Sequence, residues 1–398
     1  MDSADFAFLT SPTGIAALAD LTAEDVSESA ALALITRLRK TFTRQQAAAL
    51  VEQMRLRRAA TGKFGADASR MLFTRDALEQ ASDPAVRAYR AASAAGAGAH
   101  TVIDACCGIG SDVLAFAQAG LDVLGLDLDP VRVAIARHNA AALGLPNARF
   151  TVHDVTRGLP ESADLVFFDP ARRADGRRIY HVEGYQPPLS TVRNWEAQRV
   201  WAKLSPGVDL SETAAYGGTV EFISADGALK EALLQIGALP QTTSAVLVGS
   251  GDVLRWDAAP RDAGIPVSEP QAWLIEPDPA IIRAGLVQPL GAALGASLLD
   301  PEIAYLTSAA RPESPWGRAW RIVDWMPFNL KALKQYVRTR RIGRITVKKR
   351  GHAMTPEALL TALKPDGHGD ERVIVLTRHA GRPVIVVCLP LDSPSDAC

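Results

Sequence analysis

Apolar positions along the chain follow two different patterns. Up to about residue 95, strand-like apolar runs are nearly absent, and residues 30–40 and 44–60 are rich in Ala, Leu, Arg and Gln, which form helices readily. Ser82-Asp83-Pro84 reads as a helix start, with a capping residue ahead of a first-turn proline. Residues 91–100 are small and form a plausible hinge. From Thr101 short apolar runs alternate with helical segments: strands at 101–106, 122–128, 149–153 and 164–168, helices at 111–119 and 130–143. That alternation predicts parallel βαβ units and a doubly wound sheet. Residues 202–204 and 219–224 continue the strands, 226–238 read as a helix, and 244–255 as a closing hairpin around Gly249-Ser-Gly-Asp252. Two prolines and a glycine in 259–266 mark a linker. Beyond it, helices at 279–286 and 330–338 mix with strands at 344–347, 372–377 and 383–389.

The expected organisation is thus an N-terminal helical region over 1–95, an α/β Rossmann-like core over 96–262 and an α+β module over 267–398. At 398 residues and 48% hydrophobic, the chain can fill more than one core. The formal net charge of −1 gives no global argument for nucleic acid, so any basic surface must be local. Four cysteines, two of them adjacent and none in a Cys-x-x-Cys, argue against a disulfide framework and against a metal site. The chain opens on an acidic stretch, and no apolar run approaches the roughly 20 residues of a membrane helix. A soluble cytoplasmic protein with no membrane partner is expected.

Candidate chemistry gathers at the predicted strand ends. The first strand runs into Val102-Ile-Asp-Ala-Cys-Cys-Gly-Ile-Gly110, where Gly108 and Gly110 let the turn tighten and a ligand approach the backbone. The second strand ends at Asp127, placed to accept ribose hydroxyls, and the third at His153-Asp154, placed to meet an adenine amine. A pyrophosphate at this turn would be repelled by Asp104 and Asp112. The same carboxylates suit a cofactor carrying an amino group and a sulfonium, which favours S-adenosylmethionine over NAD. Cys106 and Cys107 read as small packing residues.

The words Asp104-Ala-Cys-Cys-Gly-Ile-Gly-Ser-Asp112, Val123-Leu-Gly-Leu-Asp-Leu-Asp-Pro130 and Ala134-Ile-Ala-Arg-His-Asn139 resemble motifs I and II of class I methyltransferases, with the flavour of the trimethylguanosine synthase group. With Met71-Leu-Phe-Thr-Arg75, Leu78-Glu-Gln80, Asp169-Pro-Ala-Arg-Arg173 and the basic C-terminal module, residues 35–390 resemble a bacterial family of class I methyltransferases with a THUMP-like domain. The resemblance implies an RNA-directed methyltransferase.

The fourth strand ends in Asp169-Pro170-Ala171-Arg172. Base-amine methyltransferases carry Asn/Asp-Pro-Pro-aromatic here, so Asp169 and Pro170 match while Ala171 and Arg172 stand in place of the second proline and the aromatic. Tyr180, Tyr185 or Trp195 are candidate stacking rings. A rival set, Asp169 with Lys203, Glu221 and an N-terminal lysine such as Lys63, mimics ribose 2′-O-methyltransferases, where a lysine removes the hydroxyl proton. Ala171 stands where a cytosine C5 enzyme would need a cysteine nucleophile. Arg172, Arg173, Arg177 and Arg178 crowd the following loop as candidate phosphate contacts. Residues 325–356 hold no Asp or Glu but nine Lys and Arg, among them Lys348, Lys349 and Arg350, a segregated positive surface suited to a structured rRNA or tRNA backbone. Two alternatives stand beside RNA methylation: an RNA-binding protein that keeps the fold without the chemistry, and a small-molecule or protein methyltransferase.

Overall fold

The computed structural model describes residues 1–174, 177–237, 240–249, 251–258 and 264–391, and of Arg173, Ala174, Arg177 and Arg178 the backbone alone. Two compact units emerge: 1–225 with 230–242 and 248–253, and 226–229 with 243–247 and 254–398. Most of the expected linker, residues 259–263, lies outside the described residues.

The first unit opens with helices α1 Ser3–Leu9, α2 Pro12–Asp20, α3 Glu28–Leu38, α4 Arg44–Phe64, α5 Arg75–Gln80 and α6 Pro84–Gly96. Local chemistry sets their ends. Thr43 and Gln46 close a capping box on α4, and Asp83 caps α6 ahead of Pro84. Between α4 and α5 the chain is wholly buried at Met71, Leu72 and Phe73. Its backbone is satisfied by side chains. Gln53 Oε1 accepts from Phe73 N at 3.1 Å, and Asn139 Oδ1 from Leu72 N at 2.8 Å.

The sheet of this unit comprises β1 Thr101–Ala105, β2 Asp122–Asp127, β3 Ala148–Val152, β4 Leu165–Phe168, β5 Val200–Leu204, β6 Thr219–Ala225 and β7 Ala228–Ile236. They lie in the order β6-β7-β5-β4-β1-β2-β3. β1 pairs in parallel with β2 and β4, β2 with β3, and β4 with β5, while β7 runs antiparallel to β5. The helices α7 Ser111–Gln118 and α8 Pro130–Leu143 make the crossovers. Strand order reverses beside β1, the switch point where such sheets bind ligands.

One element departs from expectation. Within residues 226–238, read as a helix, Ala228–Ile236 form β7, while 238 lies outside the described residues. Asp226 and Gly227 take φ of 53° and 70°, a tight Asp-Gly hairpin turn that feeds an antiparallel strand. Pairing with β5 from Val200↔Ile236 to Leu204↔Ala232 then overrides helix propensity. The expected hairpin at 244–255 is present as strands Thr242–Val248 and Val253–Asp257.

The second unit contains β8 Trp273–Pro277, β9 Ser297–Asp300, β10 Ile303–Ser308, β11 Gly317–Pro327, β12 Ile342–Lys349, β13 Asp370–His379 and β14 Arg382–Cys388. Their order is β9-β10-β8-β11-β14-β13-β12. Alternate residues of β13 and β14 face two cores: one holds Val373, Val375, Val384 and Val386, the other Ile374, Leu376, Ile385 and Val387 under helices Leu330–Thr339 and Pro356–Leu363.

Candidate active site

The turn after β1 is built on left-handed backbone. Cys106, Gly108 and Gly110 have φ of 71°, 57° and 87°. At Gly110 glycine is required twice over, because a Cβ would also stand 3.2 Å from both Ala136 Cβ and Phe150 Cε1. Gly108 N donates to Asp127 Oδ2 at 2.9 Å, and Asp129 N to Asp127 Oδ1 at 2.9 Å, so the end of β2 is locked to the turn after β1. Asp154, just past β3, accepts from Thr156 N at 3.1 Å and Thr156 Oγ1 at 2.6 Å. Those two bonds hold its carboxyl below the usual range.

These strand ends open on one cleft of about 540 Å³, lined by Asp104, Gly108, Asp127, Asp154, Asp169, Pro170, Arg172 and Lys203. Of the expected residues of the core, Gly110 shapes the turn from behind the lining, and the side chain of Arg173 lies outside the described residues, as do those of Arg177 and Arg178. Arg172 Nη1 is buried without a hydrogen-bond partner. Asp76, Glu79, Gln80 and Ala81, from α5 and its end, add a wall, of which the sequence had marked Glu79 and Gln80 only as part of a family word.

Buried charges lie beneath the cleft. Arg90 of α6 is wholly buried, donates to both Asp112 and Glu231, and stacks 4.8 Å over the Phe167 ring. Burial works against ionisation of Asp112, but the Arg90 guanidinium outweighs it and holds that carboxyl below its usual range. Asp104 has no such partner. Its Oδ1 is buried and unbonded, and burial, then the charges of Asp112 and Asp169, push its carboxyl well above the usual range. Burial and the nearby Asp127 and Asp104 likewise raise the Cys106 thiol. Lys203 of β5, 4% exposed, donates to Asp169 Oδ2 at 2.7 Å and to Ser82 Oγ at 2.7 Å.

Of the 2′-O-methyltransferase set, Asp169 and Lys203 meet in the cleft, whereas Lys63 and Glu221 are not part of its lining. Lys63 Nζ donates to the carbonyls of Leu78, Glu79 and Ala81 at 2.8, 3.1 and 2.8 Å, capping the end of α5. Glu221 is fully buried and accepts from Tyr89 Oη at 3.0 Å. Two of the three candidate stacking rings are core. Tyr185 is 2% exposed, and its Oη accepts from Ser205 N at 3.2 Å. Trp195 is buried against Phe168, and its indole N–H donates to Val155 O at 2.9 Å. Tyr180 is exposed.

In the second unit, Lys348 pairs with Glu276 at 2.5 Å and lies 4.6 Å from the Trp320 ring centre. Arg350 reaches Glu276 at 3.7 Å and donates to Ala304 O at 2.9 Å. Lys349 is exposed, together with Lys331, Arg338, Arg340, Arg341 and Arg344.

Ser82 was legible only as part of a helix start and Arg90 carried no signal, because only the fold brings them under the strand ends. Asp112 had been weighed for its charge, but its neutralisation by Arg90 was not visible.

Comparison with known proteins gives three family matches: a methyltransferase domain over residues 102–171, a THUMP domain-like model over 317–390 and a domain of unknown function over 2–60. An uncharacterised S-adenosylmethionine-dependent methyltransferase of Mycobacterium tuberculosis H37Rv is 36% identical over 344 residues, 83% of this chain and 93% of that protein. Trimethylguanosine synthase of Schizosaccharomyces pombe is 32% identical over 29% of this chain and 54% of its own length. An uncharacterised RNA methyltransferase of Halalkalibacterium halodurans is 32% identical over 26% of this chain and 22% of its own. A Porphyromonas gingivalis W83 crystal structure, assigned provisionally to the methyltransferases, shares the fold with a TM-score of 0.74 at 21% identity, covering 92% of this chain and 99% of that one.

Proposed function

The chain belongs to the S-adenosylmethionine-dependent methyltransferases, and we propose that it methylates RNA at a base nitrogen. The residues present fit the cofactor. Asp104 offers a buried, unbonded carboxylate oxygen to its ammonium, and Asp127 and Asp154 stand at the next two strand ends for ribose and adenine. The three-part organisation expected from the sequence, with a catalytic core between helical and THUMP-like regions, belongs to the same reading.

The observation that carries the acceptor is Asp169. Its Oδ2 is taken by Lys203, which leaves Oδ1 to receive an acceptor N–H beside the backbone of Pro170. When bound, S-adenosylmethionine supplies an electrophilic methyl group. With the cofactor held by Asp104, Asp127 and Asp154, its methyl group would face an acceptor nitrogen whose N–H is oriented by Asp169 Oδ1. The surplus proton passes from nitrogen to Asp169. With Lys63 capping α5 and Glu221 buried against Tyr89, a base amine is favoured over a ribose hydroxyl. Lys203 then serves as counter-ion to Asp169 rather than as a base.

RNA is supported by the RNA methyltransferase among the relatives, the THUMP domain-like match and the acid-free basic stretch at 325–356. A structured rRNA or tRNA suits that surface. Since Glu276 engages Lys348 and Arg350, Lys349 and the other exposed cations are the phosphate contacts of this reading, with Arg172 beside the cleft. The test is transfer of labelled methyl by the purified protein to total RNA from cells lacking the gene, with nucleoside mass spectrometry of the product. Labelled RNA carrying an N-methylated base is expected. Label on ribose would overturn the nitrogen reading, and no labelled RNA would overturn the acceptor class.

A further inference from the structure

We propose that Ser82 is a positioning residue of the methyl-transfer centre, through which the N-terminal helical region fixes the Lys203–Asp169 pair. The inference rests on the reading of Asp169 as the group that orients the acceptor. A buried ammonium must find acceptors for its three N–H bonds. Lys203 finds two, Asp169 Oδ2 and Ser82 Oγ, each at 2.7 Å. A lysine held at its tip by one carboxylate alone swings with it. Held also by Ser82, the tip is fixed in space, and the Asp169 carboxylate can pivot only about that fixed donor. The orientation of the free Oδ1 toward the cleft is thereby set.

Ser82 is itself clamped from both sides. Its predecessor Ala81 accepts from Lys63 Nζ at 2.8 Å. Its successor Asp83 pairs with Lys230 at 3.0 Å and caps α6 through a bond from Ala85 N at 3.0 Å. Lys63 and Lys230 thus brace the short segment that delivers the hydroxyl, and Ser82 is 7% exposed, so water does not readily replace it. This gives the N-terminal region a part in the reaction and accounts for Lys63, which lies close to the chemistry without entering the cleft.

The test uses the full chain with tritiated S-adenosylmethionine and total RNA from cells lacking the gene. Ser82→Ala is expected to lower kcat about tenfold, the worth of one well-placed hydrogen bond to a charge, with KM for S-adenosylmethionine changed less than roughly twofold. Ser82→Thr, which keeps the hydroxyl, restores kcat. A purely structural serine would leave kcat within roughly twofold in the alanine variant, and that result overturns the inference. A double-mutant cycle between Ser82→Ala and Asp169→Asn, read in the unfolding equilibrium constant, covers the case in which the wild type transfers no methyl to RNA. That case defeats the acceptor reading alone. In the cycle, coupling of at least about threefold supports the Ser82–Lys203–Asp169 link, and additivity overturns it.

Discussion

Asp104→Asn isolates the electrostatics of the cofactor site. Asp104 is 1% exposed at the end of β1, its Oδ1 has no partner, and burial with the charges of Asp112 and Asp169 raises its carboxyl well above the usual range. A carboxyl with a raised folded-state pKa contributes stability that is full below its unfolded value, about 3.9, and lost as pH climbs through the folded value. Asparagine does not titrate, so the variant escapes that loss. It is expected to be at least as stable as the wild type at neutral pH and to gain on it as pH rises. Cofactor binding moves the other way. Losing one charge-assisted hydrogen bond to the ammonium costs about 1.5–3 kcal/mol, or roughly 10- to 150-fold in Kd. Binding to the wild type should also release protons from Asp104, and binding to the variant should release fewer. Calorimetric titration with S-adenosylmethionine in buffers of different ionisation enthalpy measures affinity and proton release together, and urea unfolding across pH measures stability. A variant that binds within roughly twofold of wild type would refute the assignment of Asp104 as the ammonium partner, and one clearly less stable at neutral pH would refute the raised carboxyl.

Two further outcomes follow from the buried charges. Arg90→Met strands Asp112 and Glu231 as buried unpaired carboxylates and should cost about 3–5 kcal/mol of unfolding free energy, whereas a loss under about 1 kcal/mol would show the network to be dispensable. Cys106 lines the cleft with its thiol pushed up by burial and by Asp127 and Asp104, so iodoacetamide at neutral pH should alkylate it at least about tenfold more slowly than free cysteine; equal rates would refute that environment.

Much of the site was legible because its parts sit at strand ends, and strand ends are written locally. Residues 101–106, 122–128 and 164–168 announce strands by short apolar runs. Whatever polar residue follows such a run is delivered to the same rim of a parallel sheet. Asp104, Asp127, Asp154, Asp169 and Lys203 could therefore be named before the fold was seen, and they line one cleft. The error at 226–238 has the opposite cause. Its Ala and Leu content favours a helix, but the partner that makes it a strand, β5, lies more than 20 residues away.

The alternation of strands and helices, the glycine turn and the acidic strand ends were readable from local spacing, because each depends on residues within a few positions of one another. The tertiary structure alone decided which charges are paired. Arg90 reaches Asp112 across 22 residues and Glu231 across 141, Ser82 reaches Lys203 across 121, and Tyr89 reaches Glu221 across 132. Coulomb and hydrogen-bond energies depend on distance in space and on burial, and neither is encoded by spacing along the chain. Those pairings leave Asp104 with a free oxygen, make Lys203 the partner of Asp169, and hold Lys63 and Glu221 outside the cleft lining.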